Sequence, residues 1–137
     1  MRSTLYTNSL VRVALPSAAR TNGTVNGTTV DLGVFGNDFR SVLFVVQTGT
    51  ITDGSHAVTV QDSADGSAWA AVDAAQLQGA APTITSTADD TLFEVGYIPG
   101  TKQYVRLSVT TSSATTGGVF AAVAVLGEAS SRPVARA

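Results

Sequence analysis

Residues capable of acid–base or nucleophilic catalysis are few in this chain, and His56 is its single histidine. A histidine-activated nucleophile needs a serine within hydrogen-bond reach and an aspartate that orients the imidazole ring. Asp53 closely precedes His56 and serines are abundant, but the chain contains no Gly-x-Ser-x-Gly elbow. We therefore predict that His56 is a solvent-facing or sheet-edge residue, that no residue is catalytic, and that the protein is not an enzyme.

Carboxylates offer a second kind of chemistry, because loop oxygens can bind Ca²⁺. Asp62 and Asp65 flank an expected turn, and Asp89 and Asp90 are adjacent just before an expected strand. The chain lacks an Asp-x-Asp-x-Asp-Gly ladder, and aspartate beside glycine is explained by turn formation alone. It also lacks cysteine, which excludes a thiolate metal site and a disulfide framework. We predict no metal ion and no cofactor.

The only tryptophan, Trp69, follows the turn signal Asp65-Gly66 and has two interpretations. An exposed tryptophan beside a loop can stack on a sugar ring, which would indicate glycan binding. More often, a single tryptophan in a β-domain packs in the core. We expect the second arrangement here.

These side chains are positioned by strands whose apolar residues repeat with a period of two, and residues 118–126 form the clearest of them. Both faces of this strand are apolar, and residues 41–47 have a similar pattern. A strand of this kind must be covered on both sides, either within a sandwich or at a subunit contact. A short helix is the competing interpretation of 118–126, and the flanking glycines weaken it.

The chain as a whole has the composition of an all-β protein, with 137 residues of which 13% are charged. About seven or eight strands at this spacing predict a single-domain antiparallel β-sandwich or jelly-roll-like barrel with extended N- and C-terminal arms. The last three strands are predicted to form a meander. The predicted boundaries are 1–20 for an N-terminal arm with an edge strand, 21–127 for the β-sandwich body and 128–137 for a C-terminal tail.

Charge is distributed unevenly along the chain, whose net charge is −2. Residues 1–20 contain three arginines and no acid, and 128–137 contain two arginines and one glutamate, whereas 21–127 contains three basic and nine acidic residues. The basic ends are therefore predicted to dock on an acidic partner surface, because arginine is favoured in interfaces. The predicted partner-binding residues are Arg2, Arg12, Arg20, Arg132 and Arg136. The sequence has no dense basic run that would indicate nucleic-acid binding. It also has no segment that would indicate a membrane span or a signal peptide.

Four segments resemble small virion proteins of tailed bacteriophages that are encoded among head genes. They are 41–46 (SVLFVV), 48–54 (TGTITDG), 60–67 (VQDSADGS) and 104–107 (YVRL). The resemblance implies a capsid decoration, or cement, protein that binds outside the head lattice and bridges neighbouring major capsid subunits. It further implies the major capsid protein as partner, a homo-oligomer with a trimer favoured, and a place on the outer capsid surface of the virion after synthesis in the host cytoplasm.

Two other functions stay open. Residues 60–69 (VQDSADGSAW) and 104–107 also resemble the hairpin and late strand of discoidin-like sandwiches, which bind glycans through loop aromatics and arginine. That resemblance implies a carbohydrate-binding module. The remaining alternative is another virion role, in the tail or the connector.

Overall fold

The computed structural model describes residues 3–136, and nearly all of its regular structure is β-strand. A short helix, α1, spans Leu5–Asn8, and two 3₁₀ turns span Val34–Gly36 and Ala74–Gln76. Within the described residues, no helix has the length and apolar character needed to cross a membrane. The strands are β1 (Leu10–Arg20), β2 (Gly23–Asn26), β3 (Val30–Asp31), β4 (Phe39–Ile51), β5 (Ser55–Ser63), β6 (Ala70–Ala71), β7 (Leu77–Gln78), β8 (Thr83–Ile84), β9 (Leu92–Tyr97), β10 (Tyr104–Ser112) and β11 (Gly118–Ala129).

The strands form two antiparallel sheets that share one hydrophobic core. The first sheet has the order β1-β11-β4-β9-β7, and the second has β2-β10-β5-β6, with β3 also paired to β10 and β8 to β5. Four strands contain only two residues, so the longer ones agree with the predicted seven or eight. The all-β sandwich is confirmed, and the sheets of the described chain do not close into the alternative barrel.

Alternation along the strands explains how the sequence builds this core. In β10, Val105, Leu107 and Val109 are buried, as their spacing predicts. In β11, the even-numbered residues from Phe120 to Leu126 point into the same core. Burying a large aliphatic side chain stabilises the fold by roughly 1.5–3 kcal/mol, so the two strands together anchor one sheet on the other.

The predicted meander of the last three strands is wrong, because consecutive strands alternate between the sheets. β9 and β11 belong to the first sheet and both pair with β4, whereas β10 belongs to the second sheet and pairs with β5 and β2. The connections after β9 and after β10 therefore each cross the sandwich. Alternating hydrophobicity shows which face of a strand is buried but not which strand it pairs with.

The segment predicted as an N-terminal arm belongs to the sandwich from Leu10 onwards. β1 pairs with β11 along its whole length, with two register shifts around Leu15. The outer edge of β1 is partly covered, because Ala14 O accepts a hydrogen bond from Thr28 N–H (2.9 Å). Residues 10–20 therefore form the edge strand that was expected within 1–20, and this strand is part of the sandwich.

The C-terminal tail also lies on the body, and the buried Asn37 holds it there. The Asn37 side chain donates a hydrogen bond to Ala135 O and accepts one from Ala135 N–H, each at 2.8 Å. Asn37 O accepts a further bond from Ser130 N–H (2.9 Å), and Val134 is buried in the core. A buried amide needs such partners, so the tail is fixed to the body through residue 136 and does not project from it.

Candidate partner-binding surfaces

His56 is fully buried, so the prediction of a solvent-facing or sheet-edge residue is wrong. Nε2 lies 3.2 Å from the carbonyl oxygen of Asp53 and donates to it, so Nδ1 accepts a hydrogen bond from the Thr111 hydroxyl at 2.8 Å. The ring also meets Phe120 edge-on, with 5.3 Å between the ring centroids. Both ring nitrogens are thereby committed to internal bonds.

The Asp53 carboxylate fastens two loops together and does not orient the His56 ring. Its Oδ1 accepts hydrogen bonds from the backbone N–H groups of Thr115, Thr116 and Gly117 at 3.0, 3.1 and 2.7 Å. These bonds tie the β4–β5 connection to the β10–β11 connection. The Gly117 N–H is the main cause that lowers the pKa of Asp53, because it stabilises the ionised carboxylate.

Asp65 has a similar role in the loop that follows β5. Its Oδ1 accepts hydrogen bonds from Ser67 N–H (2.8 Å), Ala68 N–H (3.0 Å) and the Ser63 hydroxyl (3.0 Å). The Ala68 N–H contributes most to lowering the pKa of Asp65 from 3.8 to about 2, followed by the Ser67 N–H. Turn formation accounts for this aspartate. No group of three or more potential metal ligands occurs within residues 3–136.

Stability is predicted to fall in the acid range, because the folded protein favours the ionised forms of Asp53 and Asp65. Such a carboxylate contributes stability that is fully present above its unfolded pKa, about 3.9, and that is lost as the pH falls through the folded pKa. We expect the thermal midpoint to decrease between about pH 4 and about pH 2, and Asp65→Asn to make the decrease shallower.

Circular dichroism melts at closely spaced pH values measure this dependence. Asp73→Asn is the matched control, because Asp73 makes no side-chain capping bond, and it should retain the wild-type slope. Equal slopes for the wild type and Asp65→Asn would contradict the role assigned to the loop carboxylate.

Trp69 is half-buried and lies outside the hydrophobic core, contrary to the expectation from the sequence. The guanidinium of Arg106 lies over its ring, 4.2 Å from the ring centroid. Arg106 Nε is held in place by donating to Gln61 Oε1 (2.9 Å). This chain's own cation therefore covers one face of the indole, which leaves the other face for any stacking on a ligand.

The arginines of the chain ends do not form one exposed patch in the part of the chain that the structure describes. Arg12 is half-buried in β1, with its guanidinium carbon 5.0 Å from the centroid of the Phe35 ring. Arg136 stacks over Tyr6 at 3.7 Å and donates to the carbonyl oxygen of Ser9 (2.7 Å). Arg136 thus joins the two ends of the chain, and Arg12 fixes a loop to β1.

Arg20 is buried, with 8% of its surface exposed, so it does not present its charge to a partner. Its Nη2 donates to the carbonyl oxygen of Pro16, whereas the buried Nε has no hydrogen-bond partner among residues 3–136. Burial lowers the pKa of Arg20, because the charged guanidinium loses solvation. Arg132 is exposed, and Arg2 lies outside the described residues.

A charged cleft opens at the end of the sandwich where β4 and β10 begin and where β9 and β11 end. Its volume is about 640 Å³. The backbones of two of its acidic residues are in the left-handed region, with φ of 53° at Asp38 and 54° at Glu128, a conformation that is unfavourable for non-glycine residues. The charged residues that line the cleft are Asp38, Arg40, Lys102 and Glu128.

A second surface is the outward face of the first sheet, which we call the outer sheet face. The sequence predicts that 41–47 and 118–126 are covered on both sides, but the structure covers one side of each. The outward side chains come from four neighbouring strands and are mostly apolar, with Gln47 and Glu94 as polar members. The apolar members are Val11, Val13, Leu43, Val45, Leu92, Val119, Ala121, Val123 and Val125.

Comparison with known proteins identifies the fold. No family model and no curated protein sequence matches the chain. Among solved structures, the SPBc2 prophage-derived protein YomS is similar over 88% of this chain and 94% of its own, with a TM-score of 0.57 and 11% sequence identity. This chain therefore shares its fold with a prophage-derived protein.

Two further likenesses are too weak to carry an argument. A chain from the structure of infectious bursal disease virus Gx strain matches with a TM-score of 0.48 and 16% identity over 91% of this chain. This chain spans 34% of that viral protein's length. PirA matches with a TM-score of 0.41 and 12% identity, over 93% of this chain and 97% of its own.

Sequence reasoning missed the charged cleft, although the signal was present. Arg40 and Glu128 stand at the start of one apolar strand and the end of another, and Lys102 lies in the turn before β10. Antiparallel pairing brings such positions to one end of a sandwich. These residues are far apart in the sequence, and only Glu128 belongs to a predicted chain end, so charge counts along the chain do not bring them together.

Proposed function

We propose that this protein is a non-enzymatic structural protein of a tailed-phage virion, which binds the outside of the head and stabilises contacts between major capsid subunits. It would be made in the host cytoplasm and act on the outer capsid surface as a homo-oligomer, with a trimer favoured by the family resemblance. The fold shared with a prophage-derived protein over most of both chains supports a phage origin.

The observation that carries this function is that the side chains capable of catalysis are bonded inside the fold, whereas the surface is preformed. Side chains that could take part in catalysis, such as His56 and Asp53, instead make hydrogen bonds that hold loops and strands together. Within the described residues, 130–136 are bonded to the body and to 7–9, so the sandwich offers preformed surfaces. A preformed surface loses little conformational entropy on docking, which suits a protein that must reinforce a lattice.

The charged cleft is the surface that we assign to the capsid subunit. It presents cations at Arg40 and Lys102 beside the carboxylates of Asp38 and Glu128. A mixed arrangement of this kind selects a partner by charge complementarity. The exposed Arg132 belongs to the tail that is bonded to Asn37, next to Asp38, and so lies near this end of the molecule. Repetition over many lattice positions strengthens modest single contacts.

Co-sedimentation of the purified protein with undecorated phage heads tests the proposal. We expect saturable binding at a fixed ratio to the major capsid subunit. The double variant Lys102→Glu/Arg132→Glu is expected to bind at least tenfold more weakly, since one lost charge-assisted contact is worth about 1.5 kcal/mol. Thr59→Glu is the control for an added carboxylate, because it places one glutamate on an exposed position of β5.

The outcomes separate the function from the docking surface. Absence of saturable binding by the wild type would overturn the virion function, and retention on a parallel glycan panel that Trp69→Ala abolishes would favour the carbohydrate-binding alternative. Equal binding by the double variant and the control would remove the charged cleft from the interface. Deletion of 128–137 is a poorer test, because it removes Val134 from the core and the end of β11.

A further inference from the structure

The outer sheet face is a continuous apolar surface rather than a scatter of single residues. The pairing register places Val13, Val123 and Val45 side by side across three strands. The next row, on the same face, contains Val11, Val125 and Leu43. Exposed fractions along this face are 53% for Val11, 54% for Val13, 53% for Leu92, 40% for Val119 and 36% for Val123.

A shallow apolar depression lies within this face. It has a volume of about 190 Å³ and is lined by Val45, Gln47, Leu92, Ala121, Ala122 and Val123. Apolar depressions of this kind accept a side chain from a facing surface, as at the centre of protein interfaces. The face therefore combines a flat sheet surface with a recess into which an opposing valine or leucine fits.

The extent of the face is appropriate to a protein interface. At the exposed fractions given above, its five most exposed side chains present roughly 400 Å², which is half of the ~800 Å² per partner in a standard interface. Leu43, Val45 and Val125 lie between them and are only partly buried, so a partner would also cover these side chains. The largest apolar patch on a typical monomer is about 300–600 Å² and is often functional, so a patch of this size is a candidate contact surface.

We propose that a second copy of this chain packs on the outer sheet face. A partner for this face must itself present an uncovered apolar surface, and a second copy presents one because it has the same outer sheet face. Identical sheets can pack face to face about a symmetry axis at the usual spacing of ~10 Å. The chain's own ends do not occupy the face, because its valines are exposed with residues 3–9 and 130–136 in place.

Charge also favours a second copy here over contact elsewhere on the body. Residues 21–127 contain nine acidic and three basic residues, so two copies repel each other over most of their surface. On the outer sheet face, directly paired residues form rows across the strands. The three rows that contain Leu92, Val123 and Val125 have one ionisable side chain among them, Glu94, which is paired with Val45. Self-association at this face would supply one contact of the homo-oligomer in the proposed function, and it does not require head binding.

Analytical ultracentrifugation of the full-length protein over a concentration series from ~1 µM to ~500 µM tests the interface. We expect the wild type to form a dimer, because identical faces packed on each other close with two copies. Val123→Asp should weaken association at least 100-fold, because the buried carboxylate would lose its solvation. Leu92→Asp should have the same effect and tests the face at a position where 53% of the residue is exposed. Thr110→Asp, on the exposed side of β10, is the matched control and should associate like the wild type.

Circular dichroism must show that each variant is folded. A wild type that is monomeric throughout the series, or aspartate variants that associate as strongly as the wild type, would overturn the proposal. A monomeric wild type whose head binding is lost in Leu92→Asp would assign the face to the capsid instead. A wild type that self-associates but does not bind heads would overturn the proposed function and leave this interface standing.

Discussion

Gly117→Ala is expected to destabilise the folded protein by more than about 4 kcal/mol, or to prevent folding. Gly117 has a φ of +85°, a conformation that side chains with a Cβ adopt only at a cost. A Cβ added there would lie 1.9 Å from the carbonyl oxygen of Arg20 and 2.9 Å from its carbonyl carbon. Both are backbone atoms of the paired edge strand, so no side-chain rotation relieves the clash. The same residue donates its N–H to Asp53 (2.7 Å), and a displacement would release that loop as well.

Two other glycines separate the causes of this effect. Gly36 also has a positive φ, of +77°, but has no atom within 4 Å of an added Cβ, so Gly36→Ala should cost only about 1–2 kcal/mol. Gly127 has open space and no positive φ, so Gly127→Ala should be close to neutral. Denaturant unfolding of the three variants measures the series. A Gly117→Ala protein as stable as Gly127→Ala would show that the close approach to Arg20 does not exist.

The strands of the core could be predicted from the sequence because their hydrophobic period is strong and local. Val105, Leu107 and Val109 alternate with polar residues, and Val95 and Tyr97 do the same on β9. The period of two directly reports which face of a strand meets the core. The two-layer architecture follows, since an apolar strand face must be buried against another layer.

Pairing and crossing could not be predicted in this way. β10 lies between β5 and β2, and β11 lies between β1 and β4, so each strand finds partners far away in the sequence. Such long-range pairings depend on loop geometry and complementary packing, which leave no periodic signal in one chain. Asn37 is a similar case, because its bonds to Ala135 span 98 positions and are visible only once the chain has folded.

The arginines show that charge counts do not reveal how a side chain packs. Arg136 and Arg12 find aromatic partners in Tyr6 and Phe35, and the aliphatic part of a guanidinium side chain packs well against a ring. Arginines that make the chain ends basic therefore pack against aromatic rings of this same chain. The outer sheet face was partly foreseeable, because strands with two apolar faces indicate either a covered sheet or a subunit contact, and only the structure distinguishes them.

The burial of His56 also follows from the alternation of buried and outward side chains along β5. His56, Val58 and Val60 share one face of β5, and all three are buried. Residue type alone predicts an exposed histidine, whereas the period-two alternation with Val58 and Val60 places it on the buried face.

His56→Ala is expected to lower the free energy of unfolding by about 3–5 kcal/mol. The substitution removes a fully buried ring that packs edge-on against Phe120 and so leaves a cavity. It also leaves the buried Thr111 hydroxyl and the Asp53 carbonyl without the bonds that Nδ1 and Nε2 provide. Stability measured by urea or guanidinium unfolding at neutral pH should show a lower midpoint with an unchanged slope.

Two further variants separate the polar contribution from the cavity. Thr111→Val leaves Nδ1 unpaired and should destabilise the protein by about 1–3 kcal/mol. His56→Phe with Thr111→Val removes both polar partners and refills most of the space, so it should be more stable than His56→Ala. If His56→Ala is within about 0.5 kcal/mol of the wild type, as surface substitutions usually are, then His56 does not pack in the core and the assigned contacts with Thr111 and Phe120 are wrong.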